Sequence, residues 1–139
     1  MKFQAGDFVS CRDPNYFKQL GVKKNVGIVL ENKKSAYKVM FDDFAGGYWL
    51  NEEVLSLSDQ AVSKGVQEVS QLVKQLRSES FDYEKRGDHI LLELLLDQVS
   101  FDTLEKIKKF FGKRLTRLDC LPHMMAEIKL VVGFEFASE

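Results

Sequence analysis

The sequence predicts an α+β fold. A small five-stranded β-barrel covers residues 1–57, and a helix and a small α+β subdomain of helix, hairpin, helix and strand cover 58–139. Three observations carry this. Short β-prone runs separated by glycine, proline and asparagine turns fill the N-terminal part. Valines at alternating steps of four and three follow residue 58. Ala126, Ile128, Leu130, Val132, Phe134 and Phe136 recur at period two, interleaved with Glu127, Lys129 and Glu135.

Gly6-Asp7 is a turn signal ahead of a first strand at 8–12. Asp13-Pro14-Asn15 breaks that strand, because proline lacks the amide a ladder needs. Residues 13–24 then read as a long loop whose Tyr16, Phe17 and Leu20 either fold beneath it or face a partner. A second strand spans 26–31, and Gly27 marks a bulge or a close backbone approach within it. Asn32-Lys33-Lys34-Ser35 is a polar hairpin turn. In the third strand Tyr37, Val39 and Phe41 take one face, and Lys38, Met40 and Asp42 the other. Gly46-Gly47 allows the next turn, and Tyr48 opens a fourth strand. Asn51 caps a single helical turn, Glu52-Glu53-Val54, and 55–57 close the barrel.

These motifs carry a resemblance. Gly6-Asp7-Phe8-Val9, Gly27-Ile28-Val29-Leu30-Glu31, the run from Tyr37 to Asp43, Trp49, and Asn51-Glu52-Glu53-Val54-Leu55 together resemble an SH3-like barrel of the Tudor and KOW kind. Small phage-encoded and bacterial domains of this type look similar. The long first loop departs from that pattern. The resemblance implies a binding module. In Tudor domains an aromatic cage holds a methylated lysine by cation–π attraction, which here would use Tyr37, Phe41, Phe44, Tyr48 and Trp49 with Asp42 or Asp43 as counter-charge. In a barrel this small, most of those rings are needed for the core.

Ser58-Asp59 opens a helix that ends near Arg77. Val62, Val66, Val69, Val73 and Leu76 form its apolar stripe, which either packs on the sheet that follows or forms a homodimer seam. Gly65 inside it costs about 1 kcal/mol against alanine. Residues 80–86 and 89–96 flank Gly87-Asp88 as a hairpin. Leucine occupies both faces of the second of these strands, which predicts a central strand covered on both sides. Asp102 and Glu105 have capping-box spacing, Leu104, Ile107 and Phe111 form a buried stripe, and Gly112 stops that helix. Residues 115–121 read as a short strand, and 126–136 as a half-buried antiparallel one. No glycine- or serine-rich spacer separates Leu57 from Ser58, so the two parts are expected to dock rigidly.

Composition excludes several classes. The apolar fraction of 45% is too high for disorder. A net charge of −1 gives no global field to steer the molecule onto nucleic acid. No apolar run approaches the twenty residues a membrane span needs, and residues 1–7 lack a signal-peptide core. Cys11 and Cys120 lie far apart and read as reduced thiols of a cytoplasmic protein.

The search for chemistry gives little. Cys120 and His123 have the spacing of two zinc ligands, but a structural site needs four. A Cys120 nucleophile would need a third group to orient His123. The pair reads as a buried thiol beside a turn histidine. Asp42-Asp43 and Glu52-Glu53 are adjacent acids of solvated turns, and Gly46-Gly47 is not followed by the residues of a phosphate-binding loop. No cofactor, metal or catalytic residue is assigned, and a non-enzymatic protein is expected.

Binding is better supported. Lys18, Lys23, Lys24, Lys33, Lys34 and Lys38 fall in a segment whose one acid is Glu31. If the first loop and the second-to-third hairpin lie together, they form a lysine patch that neutralises phosphates without reading sequence. A second basic run holds Lys109, Lys113 and Arg114. The first reading is therefore a nucleic-acid-associated accessory or regulatory protein, phage-encoded by its resemblance. It would bind the phosphate backbone, DNA or RNA, through Lys23, Lys24, Lys33, Lys34, Lys38, Lys109, Lys113 and Arg114. The alternative is a protein-interaction module, an adaptor or inhibitor of a host factor. It would use Tyr37, Phe44, Tyr48 and Trp49 and the 62–76 stripe.

Overall fold

A computed structural model describes residues 2–41, 47–124 and 127–136. They form a mixed α/β structure of nine strands in two antiparallel sheets with three α-helices. Strands β1 (Phe8–Cys11), β2 (Gly27–Lys33), β3 (Ala36–Phe41), β4 (Tyr48–Asn51) and β5 (Leu55–Leu57) make the first sheet, in the order β4-β3-β2-β1-β5. Strands β6 (Ser80–Arg86), β7 (His89–Leu96), β8 (Leu115–Pro122) and β9 (Ile128–Glu135) make the second, in the order β6-β7-β9-β8.

The expected closed barrel followed by a helix-hairpin-helix-strand unit is not what the chain forms. Closure would require β4 and β5 to pair, and among the described residues each pairs with one neighbour only, β3 and β1 respectively. A one-turn 3₁₀ helix, Glu52–Val54, joins these two edges instead. The sheet therefore stays open and buries both faces. Val9, Val29, Tyr37, Val39, Phe41, Leu50 and Leu55 pack in a core of its own. Ile28, Leu30 and Met40 point the other way, into a larger core shared with the C-terminal half. That larger core crosses the boundary at residue 57.

Three local departures have local causes. Residues 14–20, expected as loop, are helix α1 (Pro14–Leu20). Asp13 is its N-cap, accepting from the backbone N–H of Asn15 and Tyr16, and Gly21 is its left-handed C-cap at φ 71°. Proline at the first helical position is a start signal as well as a strand breaker, since that amide needs no intrahelical partner. Helix α2 (Lys64–Leu76) begins five residues later than Ser58-Asp59 implied, with Ser63 in place of Ser58 at the N-cap position. Helix α3 (Phe101–Phe111) begins with Ser100, which exchanges hydrogen bonds with Thr103 in a capping box, rather than at Asp102.

Val66, Val69, Leu72 and Val73 of α2 are buried in the shared core, against the second sheet and the back of the first. The 62–76 stripe is thus consumed within one chain and offers no homodimer seam. Gly65 explains itself here. A Cβ on it would stand 2.9 Å from Ile90 Cδ1 and 3.0 Å from Phe136 Cγ, so only glycine admits this approach of α2 to the sheet. β7 is central, as its leucines imply, but covered on one face only. Ile90, Leu92, Leu94 and Leu96 are buried, whereas Leu91, Glu93 and Leu95 are half-buried.

Candidate functional site

The two-residue loop Gly87-Asp88 fixes the register of β6 on β7, and the register fixes a charge problem. Arg86 opposes His89, so four steps back Asp82 opposes Glu93. Both point to the uncovered face of the second sheet, because their strand neighbours Phe81, Tyr83, Leu92 and Leu94 point into the core. Directly opposed like charges are destabilising. The Asp82 carboxyl is held above its ordinary pKa. Burial is the largest cause, and Glu93 and Glu31 add to it. The backbone N–H of Tyr83 and the Lys38 ammonium oppose it.

The first sheet supplies a wall beside this floor. A register shift between Val29 and Glu31 brings Glu31 opposite Lys38, and Lys38 stands opposite Trp49 on β4. The row Trp49-Lys38-Glu31 therefore crosses three strands. Glu31 Oε2 accepts a hydrogen bond from Ser80 Oγ at 2.7 Å, which ties wall to floor. The result is a cleft of about 180 Å³ lined by Glu31, Lys38, Asp82, Glu93, His123 and Lys129. Lys129 Nζ lies 3.8 Å from Glu93 Oε2. Three carboxylates face two ammonium groups and an imidazole in it. Trp49, the chain's sole tryptophan, is 45% exposed beside Lys38.

The residues singled out from sequence are dispersed. Lys23 and Lys24 precede the start of β2, while Lys33 and Lys34 sit at its end and in the turn after it. Seven residues of strand separate the two pairs by about 20 Å. The single lysine patch expected from the two loops does not form. Lys38 belongs to the carboxylate-lined cleft. Lys109 and Lys113 are exposed on α3 and on the 3₁₀ turn Gly112–Arg114. Arg114 is engaged inside the molecule, donating to Glu68 at 2.6 and 2.9 Å and to the Glu135 carbonyl at 3.3 Å.

The aromatics divide similarly. Tyr37 is 1% exposed, and its hydroxyl oxygen accepts the backbone N–H groups of Lys2 and Phe3, so it is a core clamp and not a partner anchor. Phe41 is buried as well, which removes two walls of the aromatic cage. Tyr48 is 39% exposed, with its hydroxyl donating to the Leu20 carbonyl at 3.1 Å. Phe44 and Asp42-Asp43 lie outside the described residues. Cys120 is exposed on β8 and is not the buried thiol expected; Cys11 is. Among the described residues no group of three or more His, Cys, Asp or Glu side chains could hold a metal ion, and no helix is long and apolar enough to cross a membrane.

Sequence reasoning missed Asp82, Glu93 and Lys129, and considered His123 only as a partner of Cys120. The first two were within reach. Counting outward from a two-residue hairpin loop sets 82 against 93. The others come from β9 and from the turn before it, which only the fold brings to this cleft. No protein-family model, curated protein or solved structure matches the chain.

Proposed function

We propose that this chain is a non-enzymatic protein-interaction module, and that its inter-sheet cleft takes a lysine- or arginine-bearing polypeptide segment. One observation carries the reading. Asp82 and Glu93 oppose each other on an uncovered sheet face, at the foot of a wall that presents Trp49. An incoming guanidinium or ammonium would relieve the repulsion between the two carboxylates, and the planar Arg fork suits paired acceptors. The half-buried Leu91 and Leu95 flank the acids and would take the partner's apolar side chains. Trp49 has the character of an anchor residue, large and only partly covered.

The test uses Trp49 as a built-in reporter. Peptides are selected from a randomised displayed library on the full chain, and their binding is followed by tryptophan emission. Selected sequences should be rich in lysine or arginine and should shift the emission to saturation. Affinity should drop at least about tenfold in Asp82→Asn/Glu93→Gln, the loss of one or two charge-assisted contacts. Selected peptides without positive charge, or an unchanged Trp49 signal, refute the reading.

A second reading, contact with a nucleic-acid backbone, is favoured by a different observation. Lys24 Nζ donates to the Ala61 carbonyl at 2.9 Å, which brings Lys24 to the segment that leads into α2 and its first residue, Lys64. Lysines gathered at a helix N-terminus suit phosphate. Anisotropy of a labelled duplex at two salt concentrations decides it. Binding that falls steeply with salt and is lost in Lys23→Glu/Lys24→Glu supports this reading, and no binding at low salt ends it.

A further inference from the structure

The far margin of the second sheet carries a separate feature. Among the described residues β8 is an edge strand paired with β9 alone. Most of its residues are exposed, including Arg117, Cys120 and Leu121. A strand of this length with one bare side is a template for another strand. Its sequence around Leu118 is self-complementary when read antiparallel, since Arg117 and Asp119 are symmetric about Leu118.

We infer that β8 pairs with β8 of a second copy about a two-fold axis through Leu118, joining two four-stranded sheets into one of eight strands. In this register Arg117 opposes Asp119 of the other copy, twice over, and Leu118 opposes Leu118. A closed two-fold contact of this kind is self-complementary by construction. Directly opposed residues must share a face. Leu118 faces the core, whereas Arg117 and Asp119 point to the other side with their partners Gly133 and Val131.

The neighbouring registers are worse. An axis through Asp119 sets two aspartates against each other. An axis through Cys120 sets Pro122, which has no amide, against Leu118. Arg117 Nε and Asp119 Oδ2 already bond within one strand at 2.5 Å. The charges therefore arrive paired, and dimer formation exchanges partners rather than stripping water from lone ions.

The bulge between Leu115 and Arg117 ends regular pairing on one side. The contact is short, so the dimer forms reversibly as concentration rises from micromolar to millimolar. It leaves Asp82 and Glu93 free, because they stand on β6 and β7, away from this margin, although His123 of the cleft directly follows β8.

Sedimentation equilibrium of the full chain across that range should show a monomer–dimer equilibrium. Arg117→Asp should weaken it at least about fivefold by opposing like charges, and Arg117→Asp/Asp119→Arg should restore it. Register is read by cross-linking. With Cys120→Ser as background, Leu118→Cys should give an oxidised dimer, because opposed Cα atoms about 4.5–5.5 Å apart lie within disulfide reach. Asp119→Cys should not. Circular dichroism checks that each variant folds. A chain that stays monomeric to millimolar concentration overturns the inference. So does cross-linking at 119 in preference to 118, or an equilibrium indifferent to Arg117→Asp.

Discussion

Arg114 separates two roles that sequence could not. Counted as a cation it is a phosphate contact; counted by its bonds it is a latch between the 3₁₀ turn after α3 and helix α2. Replacing it with alanine removes two charge-assisted hydrogen bonds to Glu68 and one to the Glu135 carbonyl. It also removes the guanidinium from the Phe111 ring, 5.6 Å from its centroid. The Glu68 side chain is only 15% exposed and would be left without its partner. Hydrogen bonds to charged groups contribute about 1.5–3 kcal/mol each in buried settings. Arg114 is 32% exposed, so the low end applies and the contributions do not add fully.

The expected cost of Arg114→Ala is about 2–3 kcal/mol. For 139 residues, an unfolding entropy of about 2.1 cal/mol/K per residue turns that into a fall in Tm of about 7–10 °C. Urea melts measure it, and a double-mutant cycle with Glu68→Ala should return a coupling of about 1–2 kcal/mol. The Glu68 hydrogen bond also holds the guanidinium above its ordinary pKa, so Arg114 itself keeps its charge. A loss below about 0.5 kcal/mol, typical of a surface substitution, would refute the latch.

Two further predictions test the frame and the cleft. Gly65→Ala should destabilise by about 1–3 kcal/mol in a urea melt, because its Cβ meets Ile90 and Phe136; helix propensity alone gives the opposite sign. Asp82→Asn should leave the protein as stable or more stable at neutral pH. A carboxyl whose pKa is raised on folding binds its proton more readily in the folded state. Wild-type stability therefore falls as pH rises from the ordinary carboxylate pKa through the raised one, and the gain from asparagine vanishes below that window. Urea melts across acidic pH measure this. A gain in stability coupled to loss of peptide binding is the trade expected of a binding residue.

Local patterns were legible and remote ones were not. The alternation of Tyr37, Val39 and Phe41 was readable because a strand's period is fixed by backbone geometry. The cap at Ser100 and the helix begun by Asp13-Pro14 were also written locally, though proline was read there as an ending instead of a start. Asp82 opposite Glu93 lay one count away from the hairpin loop. Lys129 had no local signal, and that of His123 pointed to Cys120 instead, since both reach the cleft through β9 and the turn before it.

By itself, then, the sequence determined which side of most strands and helices is apolar, where most elements begin, and that the charges nearly balance. These follow from backbone periodicity and capping, which act over a few residues. Only the tertiary structure decided what lies against each side. It closed the α2 stripe inside the chain, left one face of the second sheet bare, and drove the two lysine pairs to opposite ends of β2. Burial is a property of surfaces brought together across the whole chain, and a charge becomes a site or a latch according to which surface it meets.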